Sequence, residues 1–433
     1  MQTTGAITTS ISGDVGEDLS RRRWWIFAIT WIAYAGFYLC RKNFSVAMPL
    51  LTQELGWTKL QLANVLFGYS VFYAGGQFVN GVLSDRYGAR FIVGCGLFIS
   101  AFANVAMGAS FSITLMLVLA CVNGGAQATG WSGLVKTMSA WFPPRDRGVV
   151  MAWWSTNYVL GGFLATLIAT YAVTQSWLWG AFVWQRGFWI PALLLLPIAA
   201  LFVIGMRNHP VRGVAEAGAV SQERAPLREV LRNRVVWTIA ISYFFVKATR
   251  YAFIFWLPLY FSERLRYAPG KAGAASSVYE LVGFTGVVLA GYVSDRLLRS
   301  RRFPVAAVML WAMALLCLLQ PMTASLGVVA NMAGIGLIGL IGMMTFGPDT
   351  LMSGPAVQDA VPTRAAATAA GFVNGVGSLG QLCSPYLVAV VADRFGWDSL
   401  FYLFFLFALL SGLLLSLLWT HKPRMESCLT ESA

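Results

Sequence analysis

The chain has 433 residues, 58% of them hydrophobic and 11% charged, with a net charge of +13 and a mean hydropathy of +0.65. Soluble domains carry about 45–50% apolar and about 25% charged residues, and this chain has too little polar surface to cover two or three of them. A soluble enzyme is excluded, and a polytopic helical membrane protein is indicated, because lipid-facing helices need no polar face.

In chain order, residues 1–23 read as a polar tail without a cleavable signal, and the first apolar run is long enough to span. Twelve apolar runs of membrane-spanning length follow. They fall near 24–50, 60–82, 91–109, 113–140, 149–173, 183–206, 235–261, 272–293, 304–323, 326–353, 365–391 and 398–420. The sequence thus divides into a tail (1–23), a six-helix domain (24–206), a linker (207–234), a second six-helix domain (235–420) and a closing tail (421–433). Basic clusters at Arg21 to Arg23, Arg86 to Arg90, Arg145 to Arg147, Arg207 to Arg234, Arg296 to Arg302 and Lys422 to Arg424 occupy every second inter-helix segment. This is the positive-inside pattern, which accounts for the basic balance without nucleic acid and puts both termini in the cytoplasm.

Cys40, Cys95, Cys121, Cys317 and Cys383 lie in apolar runs and Cys428 in the tail, with no paired spacing. His209 and His421 are the two histidines, both at span ends. No metal site and no cofactor are expected.

The halves repeat. Gly81, Ser84, Asp85 and Arg86 close the second span, and Gly291, Ser294, Asp295 and Arg296 close the eighth, 210 residues later. Two six-helix repeats about an axis along the membrane normal are the layout of the major facilitator fold. The first copy continues through Gly88 and Arg90 and resembles that superfamily's loop signature, expected to hold one state of a transporter at the cytoplasmic end. The second copy departs at Leu297 and Leu298.

Seven ionisable side chains stand inside spans: Arg41, Lys42, Lys136, Lys247, Arg250, Glu280 and Asp349. A mid-membrane charge costs about 2.5–3.5 kcal/mol on insertion scales, so each is a functional candidate. Five cations against two carboxylates suit an anion. The repeat offset carries Arg41 to within one residue of Arg250, and two guanidinium forks suit a phosphate. Lys247 shares a helix face with Arg250. Lys42 points about 100° from Arg41 and pairs within its own half or with Asp349. Glu280 neutralises Lys247 or Arg250, or carries a proton. Lys136 reads as structural. Tyr34 and Tyr38 share the Arg41 face, and Tyr73, Trp131, Trp154 and Tyr158 fall mid-span, as packing or as substrate contacts.

The run from Tyr34 through Tyr38, Arg41, Lys42, Asn43 and Phe44 to Pro49 resembles the first helix of the organophosphate:phosphate antiporter family. Further likenesses are Gly130 and Trp131 with Lys136 to Met138, Arg145 to Gly148, Arg250 and Tyr251, Tyr279 and Glu280, Phe346 to Pro348, and Ala369 to Phe372. The resemblance implies that Arg41 and Arg250 bind phosphate and that Tyr34, Tyr38, Tyr73, Trp131 and Trp154 line the path. It also marks departures: Gln77 stands where bacterial relatives have a cavity lysine, Tyr158 where they have a histidine, and Phe255 where an Asp follows the seventh-helix arginine. The function implied is exchange of a phosphorylated small metabolite for inorganic phosphate across a bacterial inner membrane by a monomer. An organophosphate sensor and a proton-coupled symporter of organic anions or phosphonates, using Glu280 or Asp349, are the alternatives.

Overall fold

In lipid the backbone has no polar partner other than itself, so the apolar runs fold as helices. The computed structural model describes residues 4–142, 150–151, 153–175, 177, 181–208, 227–323, 330–362 and 365–421, and no strand occurs among them. The helices are α1 (Thr4–Leu55), α2 (Lys59–Tyr87), α3 (Ala89–Gly108), α4 (Ile113–Gln127), α5 (Thr129–Trp141), α6 (Thr156–Thr174) and α7 (Val183–Gly205). A short α8 (Leu227–Leu231) precedes α9 (Arg234–Arg264), α10 (Pro269–Tyr292), α11 (Arg302–Leu319), α12 (Ala330–Ser353), a short α13 (Pro355–Ala360), α14 (Ala366–Phe395) and α15 (Trp397–Ser416).

Nine spans among the described residues are long and apolar enough to cross a membrane, with α4 and α5 counted as one. The longer α1, α2 and α9 complete twelve crossings; in α1 and α9 the apolar runs are interrupted by Arg41 and Lys42 and by Lys247 and Arg250. Two boundaries differ from the sequence expectation. Helix α1 begins at Thr4, inside the expected tail. The fourth span is broken at Ala128, where the Thr129 hydroxyl donates to the Ala126 carbonyl at 2.7 Å and bends the chain. The clusters at Arg145 to Arg147 and Lys422 to Arg424, with His209 and Cys428, lie outside the described residues.

Internal contacts group the chain into two units, Met1–Phe44 with Gly68–Val220, and Ser45–Phe67 with Ser221–Ala433. In the first unit, Phe37, Leu97, Leu134, Trp141, Ala165 and Phe202 form a buried core shared by α1, α3, α5, α6 and α7. Small residues bring the helices together, as packing between membrane helices requires. A Cβ at Gly124 would run into the Tyr69 carbonyl, so only glycine lets α4 approach α2. In the second unit, α10 packs on α12, α9 on α14 and α11 on α15. There a Cβ at Gly342 would meet the Tyr279 carbonyl, and Tyr279 stands 210 residues after Tyr69. The glycines themselves stand 218 residues apart, so the same close approach recurs in both units while the 210-residue offset holds on the tyrosine side.

The second unit also holds the start of α2. Lys59 Nζ lies 2.9 Å from Glu263 Oε2 and 3.0 Å from Asp393 Oδ1. Trp397 Nε1 donates to the same Glu263 oxygen at 3.0 Å, and the Tyr386 hydroxyl donates to Asn64 Oδ1 at 2.8 Å. Burial works to lower the Lys59 pKa; hydrogen bonds and charge from Glu263 and Asp393 outweigh it and hold the ammonium above its ordinary value.

Candidate functional site

The first unit builds its site around Arg41, which is 6% exposed in the middle of α1. Tyr34, Tyr38 and Arg41 follow one another at steps of four and three residues, which places them on one helix face. The guanidinium carbon sits 4.5 Å from the Tyr38 ring centroid and 4.8 Å from that of Tyr73. Nε donates to Gln127 Oε1 at 2.8 Å, and the same oxygen accepts from the Tyr69 hydroxyl at 2.9 Å. The second nitrogen of the fork, Nη2, is buried without a hydrogen-bond partner, and no carboxylate pairs with Arg41 among the described residues.

Gln127 is itself held. Its Nε2 lies 2.9 Å from the Cys40 carbonyl and 3.2 Å from Asn123 Oδ1. Asn123 Nδ2 donates to that same carbonyl at 2.8 Å, while Asn123 Oδ1 accepts from Ser100 Oγ at 2.6 Å. Asn43 Nδ2 donates to Asn104 Oδ1 at 2.9 Å. A buried amide network thus runs from α1 through α3 to α4 and fixes the direction of one arginine nitrogen. Sequence reasoning missed Tyr69, Ser100, Asn104, Asn123 and Gln127. The signal available was the presence of four amide side chains (Asn43, Asn104, Asn123 and Gln127) in runs that are otherwise apolar.

Burying a cation costs several kcal/mol, whereas a desolvated cation–π contact returns about 2 kcal/mol and a hydrogen bond to a charged group about 1.5–3 kcal/mol. The amides and rings around Arg41 carry no formal negative charge. An anion with an oxygen free for Nη2 is the complement this arrangement lacks.

Beside Arg41 is an aromatic box. Tyr34 lies 5.4 Å from Trp131 and 5.8 Å from Trp154, the two tryptophans are 5.5 Å apart, and Tyr34 is 6.0 Å from Tyr38. Trp154 Nε1 donates to the Thr30 hydroxyl at 3.1 Å, so its polar atom is committed to α1. Tyr73 stacks on Tyr69 at 5.9 Å, and the half-buried Gln77 follows one turn later on α2. Tyr158 is half-buried on α6. Lys42 is buried beside Arg41, and Lys136 is exposed on α5, away from the buried set.

The second unit places Arg250 in α9, 7% exposed, with Nη1 2.7 Å from Asp349 Oδ2 on α12. The sequence expectation let Lys42 pair within its own half or with Asp349; Asp349 stands on Arg250 instead. Asp349 follows Pro348, and the turn of α12 around it sets Phe346 4.8 Å under the Arg250 guanidinium. Phe346 packs in turn on Tyr279, 5.4 Å away. The second carboxylate oxygen, Oδ1, is buried and has no hydrogen-bond partner. Lys247 donates to Asn374 Oδ1 and Ser378 Oγ, both at 3.4 Å, and lies over Tyr243 at 5.0 Å. Asn374 and Ser378, one turn apart on α14, were not anticipated. Gly377 between them faces Tyr243 and the Lys247 stem, where a Cβ would not fit. Glu280 is buried on α10, directly after Tyr279.

The loop motif takes a different form in each unit. Gly88 turns the chain from α2 to α3 at φ +82°, with Asn208 where a Cβ would stand. Arg90 donates through its backbone N–H to Asn208 Oδ1 at 2.9 Å and through Nε to the Val203 carbonyl at 2.6 Å, which satisfies the end of α7. Arg86 is exposed over Tyr87, Gly81 is half-buried, and the side chain of Asp85 lies outside the described residues. In the second copy Asp295 sits in a π-helical turn, Val293–Leu297, and pairs with Arg302; Arg302 reaches Ser294 at 2.6 Å and Asp359 at 3.3 Å. Arg296 is exposed there.

Among the described residues no group of three or more His, Cys, Asp or Glu side chains converges to hold a metal ion. The chemistry on offer is binding of an anion by buried cations within an apolar helical frame.

The chain belongs to the Major Facilitator Superfamily, whose family description matches residues 26–382. A crystal structure of a bacterial homolog of the human lysosomal transporter Spinster superposes with a TM-score of 0.75 at 15% identity, covering 91% of this chain and 96% of the other. Within the superfamily the chain belongs to the organophosphate:phosphate antiporter family. It is 31% identical over 429 residues to the glycerol-3-phosphate transporter of Bacillus subtilis (strain 168), covering 94% of each chain. It is 26% identical to a probable hexose phosphate transport protein of Chlamydia trachomatis serovar D, covering 92% of this chain and 91% of the relative.

Proposed function

We propose that this protein is a secondary transporter of a phosphorylated small metabolite, of sugar or glycerol phosphate type, exchanging it for inorganic phosphate by alternating access. The reading puts it, as a monomer, in a bacterial inner membrane with both termini in the cytoplasm, in keeping with the basic segments. Arg41 and Arg250 are the phosphate ligands, with Lys247 adding charge and Tyr34, Tyr38, Tyr73, Trp131, Trp154, Tyr158 and Gln77 along the path. The observation that carries this is the unpaired Arg41: a buried guanidinium held by Gln127, with Nη2 left without a partner. Two planar forks match the tetrahedral oxygens of a phosphate better than ammonium groups do. In the resting protein Asp349 occupies one fork, so the incoming phosphate has to replace a carboxylate that is already in place.

A second reading has one observation in its favour. Asp349 keeps a buried oxygen without a hydrogen bond, a place where a proton would sit if Arg250 turned to substrate. Proton-coupled symport would use that proton.

One experiment tests both readings. Proteoliposomes loaded with labelled phosphate should release it only when a phosphate ester or phosphate is present outside, and a protonophore should leave the exchange intact. Uptake into phosphate-free vesicles driven by an imposed pH gradient would replace exchange with symport. Ligand binding without flux would make the protein a sensor.

A further inference from the structure

Among the described residues, one bond holds the Asp349 carboxylate. Its Oδ2 takes the Arg250 Nη1 donor at 2.7 Å, and its Oδ1 is buried without a hydrogen-bond partner. One turn along α9 stands a second buried cation, Lys247, with no carboxylate in ion-pair contact among the described residues. Its ammonium donates to Asn374 Oδ1 and Ser378 Oγ, both neutral and both 3.4 Å away. Charge-assisted bonds normally close to about 2.7–2.9 Å, and these two use only two of the three N–H donors. A carboxylate with a bare oxygen thus stands near a loosely held cation.

The helix contacts set how near. Lys247 and Arg250 are three residues apart, about 4.5 Å along the axis and on one face of α9. Arg250 meets Asp349, and the Tyr243 hydroxyl meets the Ser353 side chain. As the numbering falls from 250 to 243 on α9 it rises from 349 to 353 on α12, so Lys247 stands against the turn that carries Asp349. The charges of Asp349 and Arg250 both act on Lys247. The Lys247 stem runs beside Gly377, where a Cβ would come within 3.0 Å of its Cδ. A one-turn separation is within the combined swing of a carboxylate and a four-carbon ammonium stem.

The other groups around Asp349 offer it no further cation among the described residues. Helix α10 brings Tyr279, which lies in the fields of Arg250, Asp349 and Glu280. Helix α11 meets this part of α12 with Met309 and Met313, and its Arg302 is tied to Asp295 and Asp359. Helix α14 brings the neutral Asn374 and Ser378. A phosphate on Arg250 therefore leaves the carboxylate two ways to avoid a buried bare charge: a proton, or Lys247.

Resting on the transport reading above, we infer that Asp349 is a two-position carboxylate, paired with Arg250 in the empty site and passed to Lys247 when phosphate takes the Arg250 fork. Lys247 is then a positioning residue that acts through Asp349. The carboxylate trades one cation for another, so loading the site moves no proton onto it, which suits exchange and not symport. Without Lys247 the displaced carboxylate is buried unpaired, and such a group neutralises itself by taking a proton.

The test counts the protons taken up when the purified protein binds inorganic phosphate, by titration calorimetry at one pH in buffers of differing ionisation enthalpy. The titration of phosphate itself is common to all variants and cancels in the differences. Lys247→Met should take up close to one proton more per phosphate than the unaltered protein, and Lys247→Arg no more. The affinity of Lys247→Met relative to the unaltered protein should fall by about tenfold for each pH unit of increase, as one linked proton requires. Adding Asp349→Asn to Lys247→Met should abolish the extra proton. Should Lys247→Met not fold, Lys247→Gln, which can still bond Asn374 and Ser378, takes its place. Equal proton uptake by the variant and the unaltered protein overturns the inference, as does extra uptake that survives Asp349→Asn. A folded Lys247→Met that binds no phosphate at any pH also overturns it, by making Lys247 a direct ligand. Failure of the transport reading is seen separately, as the absence of phosphate exchange by the unaltered protein in vesicles.

Discussion

Arg250 and Asp349 meet at 2.7 Å across α9 and α12, whereas Arg41, within one residue of the equivalent position of the first repeat, faces amides and rings and, among the described residues, no carboxylate. Under the proposed reading the two arginines would meet an anion unequally: Arg41 with Nη2 unbonded, Arg250 with a carboxylate already on it. Loading at the first would then break no ion pair, whereas loading at the second would require Asp349 to release Arg250.

Asp349→Asn removes the carboxylate 2.7 Å from Arg250, and breaking a buried ion pair by removing one partner typically costs about 3–5 kcal/mol of stability. The expected outcome is a large drop in thermal stability that added phosphate largely restores, together with tighter substrate binding and slower turnover. Unfolding curves with and without phosphate check it; a variant as stable as the unaltered protein without any anion would show that the pair is not needed to hold Arg250.

Arg41→Lys keeps the charge and loses the planar fork and the hydrogen bond to Gln127. Exchange should fall to background with the protein still expressed and folded. Near-normal labelled phosphate exchange would remove Arg41 from the binding step.

Gln127→Leu leaves Arg41 in place and takes away what aims it. Loss of a charged hydrogen bond worth about 1.5–3 kcal/mol corresponds to roughly tenfold to a hundredfold weaker substrate binding. Because Gln127 also bonds the Cys40 carbonyl, a modest stability loss should accompany it. Unchanged substrate affinity at reduced stability would assign Gln127 to the fold alone.

Lys59→Met unties the start of α2 from Glu263 and Asp393. The cluster is partly open to water, so the pair contributes no more than about 1 kcal/mol. The Lys59 pKa is raised in the folded protein, so its contribution is complete below the ordinary lysine value and is lost only as pH rises through the raised one. The stability difference between Lys59→Met and the unaltered protein should therefore be flat from pH 6 to 9 and shrink in stronger alkali. A difference that varies across the neutral range would point to another group.

The sequence by itself determined the class, the repeat and the cationic centres. Apolar length forces helices in lipid whatever their neighbours, and a charge inside such a run is rare enough to mark itself without knowledge of its partner. The 3.6-residue period was also sufficient to put Tyr34, Tyr38 and Arg41 on one face, because that relation lies within a single helix. Only the tertiary structure decided the partners between helices. Arg41 takes Gln127 from 86 residues away, and Arg250 takes Asp349 from 99 residues away, where the sequence reading puts forward Glu280. Which face of α4 or α12 turns inward depends on helix rotation and crossing, set here by close approaches such as Gly124 on Tyr69 and Gly342 on Tyr279.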